Sequence, residues 1–252
     1  MVDRVANMTK LQIFLFLLVI SFAPCSASTP QKVAPGVFKV PLKLPRSLEK
    51  RRAEFESDLL EAQRRLRSFS EKHNWENLTD EPLMRRAEIY DNKRDYDDHL
   101  YKLEPSLRGK PIPKTFTAGI EQDVFFAVTP EICNEVFPQG KEKDSYIKLI
   151  LHELTHRLHV RIVKGEEDRM GPIWFFEGFA IHGADQYSAK APKLSENEIW
   201  EIVGEKSRGS YLKYRTVFDY FLRKHSLLEL LDHAGGKDFA DWLRTEPARH
   251  DR

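Results

Sequence analysis

The chain has 252 residues, 41% of them hydrophobic, enough to bury a sizeable core in one large domain or two small ones. Its 40 Lys and Arg nearly cancel its 39 Asp and Glu, leaving a net charge of +1, so no global field draws it to nucleic acid or to an anionic membrane surface. Recognition must be local, and one domain with a helical prelude is expected.

In chain order, Arg4 and Lys10 precede an apolar run over residues 11–22, and the small residues Cys25, Ser26 and Ala27 follow. This charge, core and cleavage order predicts a secretory signal peptide over 1–27 and a secreted or periplasmic protein. A membrane anchor needs about 20 apolar residues; this run is shorter and is closed by Pro24, so no stable insertion is expected once the signal is removed. Phe22-Ala23-Pro24 is also a poor lead-in to a lipid anchor on Cys25. Cys133 then remains alone, without an internal disulfide, as a small buried hydrophobe.

Residues 28–46 are Pro-rich and aperiodic, which predicts a flexible lead-in. Over 47–83 an amphipathic helix region is expected, because Phe55, Leu59, Ala62, Leu66 and Phe69 recur at helical spacing in a run dense in Glu and Arg. Its stripe is expected to dock on the rest of the domain, with a pro-segment or partner helix as the alternative. A strand over 84–90, a turn at Asp91-Asn92, a helix over 94–103 and a Gly/Pro loop over 105–113 come next. The run DVFFAVT, 123–129, is the clearest strand. Beyond 145 nearly everything is helical, so the fold class is α+β, with the catalytic domain placed at 84–252.

The chemistry begins in YIKLILHELTHRLHV. His152 and His156 are four apart, so a helix presents both imidazoles on one face, one turn apart, close enough to share a metal ion. Ile147, Leu151, Leu154 and Leu158 form an apolar stripe on the other side. Glu153 leans over the histidine face, where it can take a proton from an activated water without becoming a ligand. H-E-x-x-H also arises by chance as an exposed pair on an ordinary helix, so a second element matters. That element is GPIWFFEGFA, residues 171–180. Pro172 suits the first position of a new helix, Trp174, Phe175 and Phe176 draw Glu177 into a poorly solvated place, and a carboxylate there needs a partner, of which a divalent metal is the strongest. Gly178 and Ala180 are small enough to let this helix approach the histidine helix. Two imidazoles, one carboxylate and one water make an open tetrahedral catalytic zinc site.

HELTH followed by W-F-F-E-G-F-A resembles the gluzincin, or peptidase MA-like, zinc metallopeptidases, over residues 146–184. The resemblance implies a zincin-like fold: a small mixed β-sheet subdomain with the H-E-x-x-H helix, then a helical C-terminal subdomain, with substrate between them. It implies one Zn2+ per chain held by His152, His156 and Glu177, with Glu153 as general base and a peptide or protein as substrate. A tyrosine that stabilises the oxyanion maps to Tyr211, with Tyr214 in reserve; either ring can equally be core packing. The strand over 123–129 takes the place of the family's edge strand, which pairs with extended substrate, and Ala118-Gly119-Ile120-Glu121-Gln122 loosely matches the segment with which related aminopeptidases hold a free amino terminus. The chain departs from the pattern where thermolysin-like enzymes carry an Asp that orients a histidine ligand: Ile181 stands there, with Asp185 as a substitute. His159 is expected behind the ligands or facing substrate, and neither it nor His182 joins the ligand set. The function expected is metal-assisted peptide hydrolysis; the alternatives are a catalytically silent or self-inhibited gluzincin-like binding domain, or a helical interaction module with an accidental motif.

Overall fold

The computed structural model describes residues 29–245; the signal peptide expected over 1–27, with Cys25, lies outside them. The described chain is mixed, rich in helix with two small sheets, in keeping with the α+β class.

The first strands fall where the sequence predicts a flexible lead-in. β1 (Gln31–Ala34) and β2 (Val37–Lys39) pair antiparallel, and β3 (Leu42–Lys43) follows. The expectation fails because three apolar side chains, Val37, Phe38 and Val40, are buried, and because the backbone of β2 finds a partner outside the sheet. Gln63, on helix α1 (Arg52–Lys72), accepts from the Phe38 N–H at 2.9 Å and donates to the Phe38 carbonyl at 2.9 Å. A buried amide spans one residue of the strand and satisfies both of its backbone groups.

β3 opens a four-stranded sheet in the order β3-β4-β6-β5, with β4 at Arg86–Tyr90, β5 at Ala118–Glu121 and β6 at Val124–Val128. β3, β4 and β6 run parallel, and β5 is antiparallel to β6. The edge strand expected at 123–129 is therefore an interior strand, and the edges are β3 and β5. The reason lies in the composition of β6: an unbroken apolar run suits a strand covered on both faces. Phe125 and Ala127 point into the main core with α1, while Phe126 and Val128 pack against Tyr96 and Leu100 of α2 (Lys93–Leu103). Asn92 caps α2, accepting from the Asp95 N–H at 2.9 Å.

After the short helix α3 (Pro130–Val136) the chain is helical: α4 (Ser145–Ile162), α5 (Ile173–Gly183), α6 (Glu196–Val203), α7 (Tyr211–Leu222), α8 (Leu227–Ala234) and α9 (Phe239–Trp242). α1 lies along α4, α4 along α5, and α5 along α7. The stripe Phe55, Leu59, Ala62 and Leu66 is buried in that first contact, so residues 47–83 share one core with the histidine helix. None of the helices among the described residues is long and apolar enough to cross a membrane.

The small residues of α5 work differently from the expectation. A Cβ at Gly178 would sit 2.7 Å from Phe218 Cδ2, on α7, whereas the close approach to α4 is made by Gly183, whose Cβ would sit 2.7 Å from Thr155 Cγ2. Gly178 thus seats the next helix. Gly178→Ala is expected to lower stability by about 1–2 kcal/mol in chemical denaturation, because overpacking outweighs a helix-propensity gain of about 1 kcal/mol.

Candidate metal centre

α4 carries the two histidines with an apolar side against the core: Ile150, Leu151, Leu154 and Leu158 are buried, with Ile150 taking the place expected of Ile147. Gly165, at φ 84°, ends the helical segment by donating to the Val160 carbonyl, and the chain returns through Gly171 to start α5. Pro172 stands just before the first turn, its carbonyl accepting from Phe175 and Phe176. α5 is buried nearly all round between α4 and α7, so Glu177 has 1% of its surface exposed.

His152, His156 and Glu177 converge, with one ligand atom of each lying within 4.8 Å of the others. The two Nε2 atoms are 3.0 Å apart, and Glu177 Oε2 lies 3.2 Å from that of His152 and 3.6 Å from that of His156. The group can hold a metal ion. The tautomer of His152 adds to this reading. Its Nδ1 is 2.9 Å from Gln186 Oε1, an atom that only accepts, so Nδ1 carries the proton and Nε2 of the neutral ring presents a lone pair. That lone pair faces a carboxylate oxygen, Oε2, that is buried and has no hydrogen-bond partner. Two acceptors at this distance in a dry site call for a positive charge between them, supplied by a proton on an imidazole or by a metal ion. Burial alone would push His152 down, but Glu177 and Glu153 outweigh it and hold the imidazole above the usual histidine range. A field that favours a proton at Nε2 favours a metal cation there too. Glu177 is likewise opposed by burial, and Arg208 and the histidines draw its carboxyl well below the ordinary value.

Glu153 is half-buried beside this group and makes no ion pair or hydrogen bond among the described residues. Tyr211, at the start of α7, lies with its ring 5.9 Å from that of His152. Burial, then the Glu177 charge, pushes its hydroxyl well above the normal tyrosine value, so it remains a proton donor. The reserve, Tyr214, is committed elsewhere: its hydroxyl accepts from the Gly209 N–H.

Asp185 does not orient His152. Its side chain is 71% exposed and pairs loosely with Lys148 and Arg215, and its neighbour Gln186 has the role. The reason is backbone geometry. Asp185 and Tyr187 both adopt left-handed φ, 49° and 60°, which turns the Gln186 side chain inward between them. The Gln186 N–H donates to the Ile181 carbonyl and its carbonyl accepts from Arg215 Nη1, each at 2.9 Å. Gln186→Ala is expected to weaken metal binding by about 10–100-fold, measured by competition with a chromogenic chelator.

Two other histidines sit away from the centre. His159 is fully buried with its ring 4.5 Å from Phe179, and neither ring nitrogen has a hydrogen-bond partner, so it faces the core. His182 packs on Phe218 and lies 3.9 Å from Asp219. Glu121, on β5, is pushed up to about 7, mainly by burial and then by Glu104, and touches none of the three converging groups. Cys133 is half-buried, and burial pushes its thiol up to about 12, which leaves it unreactive.

Sequence reasoning missed Arg208 as well as Gln186. Arg208 Nη2 lies 2.8 Å from Glu177 Oε1, in the loop between α6 and α7. No family model, curated protein or solved structure matches this chain.

Proposed function

We propose that the chain is a secreted zinc metallopeptidase of the gluzincin type, which hydrolyses peptide bonds in a peptide or protein substrate. The observation that carries the proposal is the convergence of His152, His156 and Glu177 beside a Glu153 that is bound to none of them. Two imidazole nitrogens and one carboxylate oxygen are the donor set of a catalytic zinc with one position open. The zincin-like reading of the fold is supported by the order of elements, a small sheet, then the histidine helix, then a helical region supplying the carboxylate.

Bound zinc would supply Lewis-acid polarisation of the scissile carbonyl and would lower the pKa of water from about 15.7 toward 7. The protein's residues do the rest. Glu153 accepts the proton of the attacking water and returns it to the leaving amine, so the carboxylate is regenerated each turnover. Tyr211 donates its hydroxyl proton in a hydrogen bond to the oxyanion. The free edge of β5 is available to pair with an extended peptide, main chain to main chain.

The test is elemental analysis of the purified protein together with digestion of a peptide library read by mass spectrometry. One zinc per chain with new cleavage products is the expected result. Zinc without cleavage would leave a silent binding domain, and a chain free of stoichiometric metal would sink the proposal.

A further inference from the structure

Glu177 offers two oxygens, and the structure divides them. Oε2 faces the imidazole nitrogens of His152 and His156, while Oε1 is held by Arg208 Nη2 at 2.8 Å. Arg208 also has a second attachment: its Nη1 donates to the Tyr211 hydroxyl at 2.7 Å. Its guanidinium lies 5.2 Å from the centre of the Phe116 ring and 5.9 Å from that of Tyr211. The side chain is 41% exposed, yet its planar fork bridges a buried carboxylate and the proposed oxyanion donor. The loop behind it is tied down by Gly209, whose N–H donates to Tyr214.

We propose that Arg208 is a positioning residue that withholds one oxygen of Glu177 from the metal and aims the hydroxyl proton of Tyr211. The inference rests on the metallopeptidase reading and extends it. A carboxylate with both oxygens free can embrace a cation with both; a carboxylate with one oxygen in a charge-assisted hydrogen bond offers the other alone. The coordination place spared is then left for water and for the substrate carbonyl. The same fork acts on Tyr211. Because the phenolic oxygen accepts from Arg208, its own proton is directed away from the guanidinium and is free for another acceptor. Lysine cannot replace this: a point charge on a flexible stem lacks the planar pair of donors that reach two acceptors together.

A simple structural role predicts something else. If Arg208 only neutralised a buried carboxylate, its removal would loosen Glu177 and weaken metal binding. Loss of the charge by itself would strengthen binding of a nearby dication by about tenfold even at the dielectric constant of water, so the coordination spectrum decides between the two roles.

The experiment is cobalt(II) substitution of the full-length mature protein, comparing wild type with Arg208→Ala and Arg208→Lys by visible absorption and chelator competition. Wild type is expected to show the intense bands of a four-coordinate ion. Arg208→Ala is expected to bind cobalt about tenfold more tightly and to show the weaker bands of higher coordination, with guanidinium ion in the buffer restoring the wild-type spectrum. Arg208→Lys is expected to resemble Arg208→Ala in its spectrum. An unchanged spectrum in Arg208→Ala, whether binding tightens or weakens, overturns the positioning role and leaves the metal site standing. A wild-type protein that takes up no cobalt overturns the metal reading itself, and this proposal with it.

Discussion

Glu153→Gln is expected to keep one zinc per chain, held up to about tenfold more weakly because a nearby negative charge is lost, and to lose about 10²–10⁴-fold in kcat. Glu153 follows His152 on α4, but its carboxylate is not among the three groups that converge. Exchanging it for an amide of equal size therefore leaves both imidazoles, Glu177 and the Gln186 contact to His152 Nδ1 in place. What disappears is an oxygen basic enough to take a proton. The loss belongs in kcat and kcat/KM together, because the interaction removed exists only during proton transfer. His156→Ala is the control that should fail differently, with the metal itself lost. If Glu153→Gln turned over substrate at the wild-type rate with full zinc content, the base would have to be sought among other acids near the sheet edge, beginning with Glu121, which burial pushes up to about 7.

The helices that bear the three converging groups were legible because each announces itself with a local pattern. α4 shows apolar residues at helical spacing with the histidines in a second phase, and α5 places an acid inside an aromatic run, which only a buried partner explains. The features that escaped are set by tertiary geometry. Gln186 is a neutral amide in a turn, and a search for the group orienting His152 looks to acids; Asp185 beside it drew the choice. Nothing short of the left-handed φ values on both sides reveals which of the two faces inward. Arg208 is one basic residue in a polar stretch, thirty-one positions beyond Glu177 by their numbers, and its pairing with Glu177 leaves no mark in the local sequence. β1 to β3 are too short to show a period, and Gln63, which holds β2, reads in the sequence as one more polar residue on a charged helix. Apolar content picks out β6 as the clearest strand, and the less apolar β5 beside it goes unnoticed as the edge.

His159→Leu is expected to make the metal-free protein more resistant to acid, by about 3 kcal/mol near pH 4. His159 is fully buried against Phe175 and Phe179, and its two ring nitrogens have no hydrogen-bond partner. Burial, with a smaller contribution from His156, pushes the imidazole down to about 3, whereas the unfolded chain carries an ordinary histidine near 6.5. Between those two values the unfolded state binds the extra proton and the folded state does not, so stability rises with pH across the window. The contribution of neutral His159 is complete above about pH 6.5 and falls by about 1.4 kcal/mol for each pH unit below it, until the folded imidazole itself takes the proton near 3. Other groups run against this trend: Asp58 and Glu121 are raised to about 6 and about 7 by burial, and carboxyls raised in the folded state stabilise it as pH falls. They are common to both proteins and cancel in the difference, which is why the comparison with Leu isolates one ring. A chelator must be present throughout, because acid also releases a metal held by histidines, and that loss would lower the stability of the wild type by mass action. Urea unfolding from pH 7 to pH 3.5 should show the two proteins diverging steadily below pH 6.5; parallel curves would mean that the His159 ring is solvated or hydrogen-bonded in a way its packing between Phe175 and Phe179 does not allow.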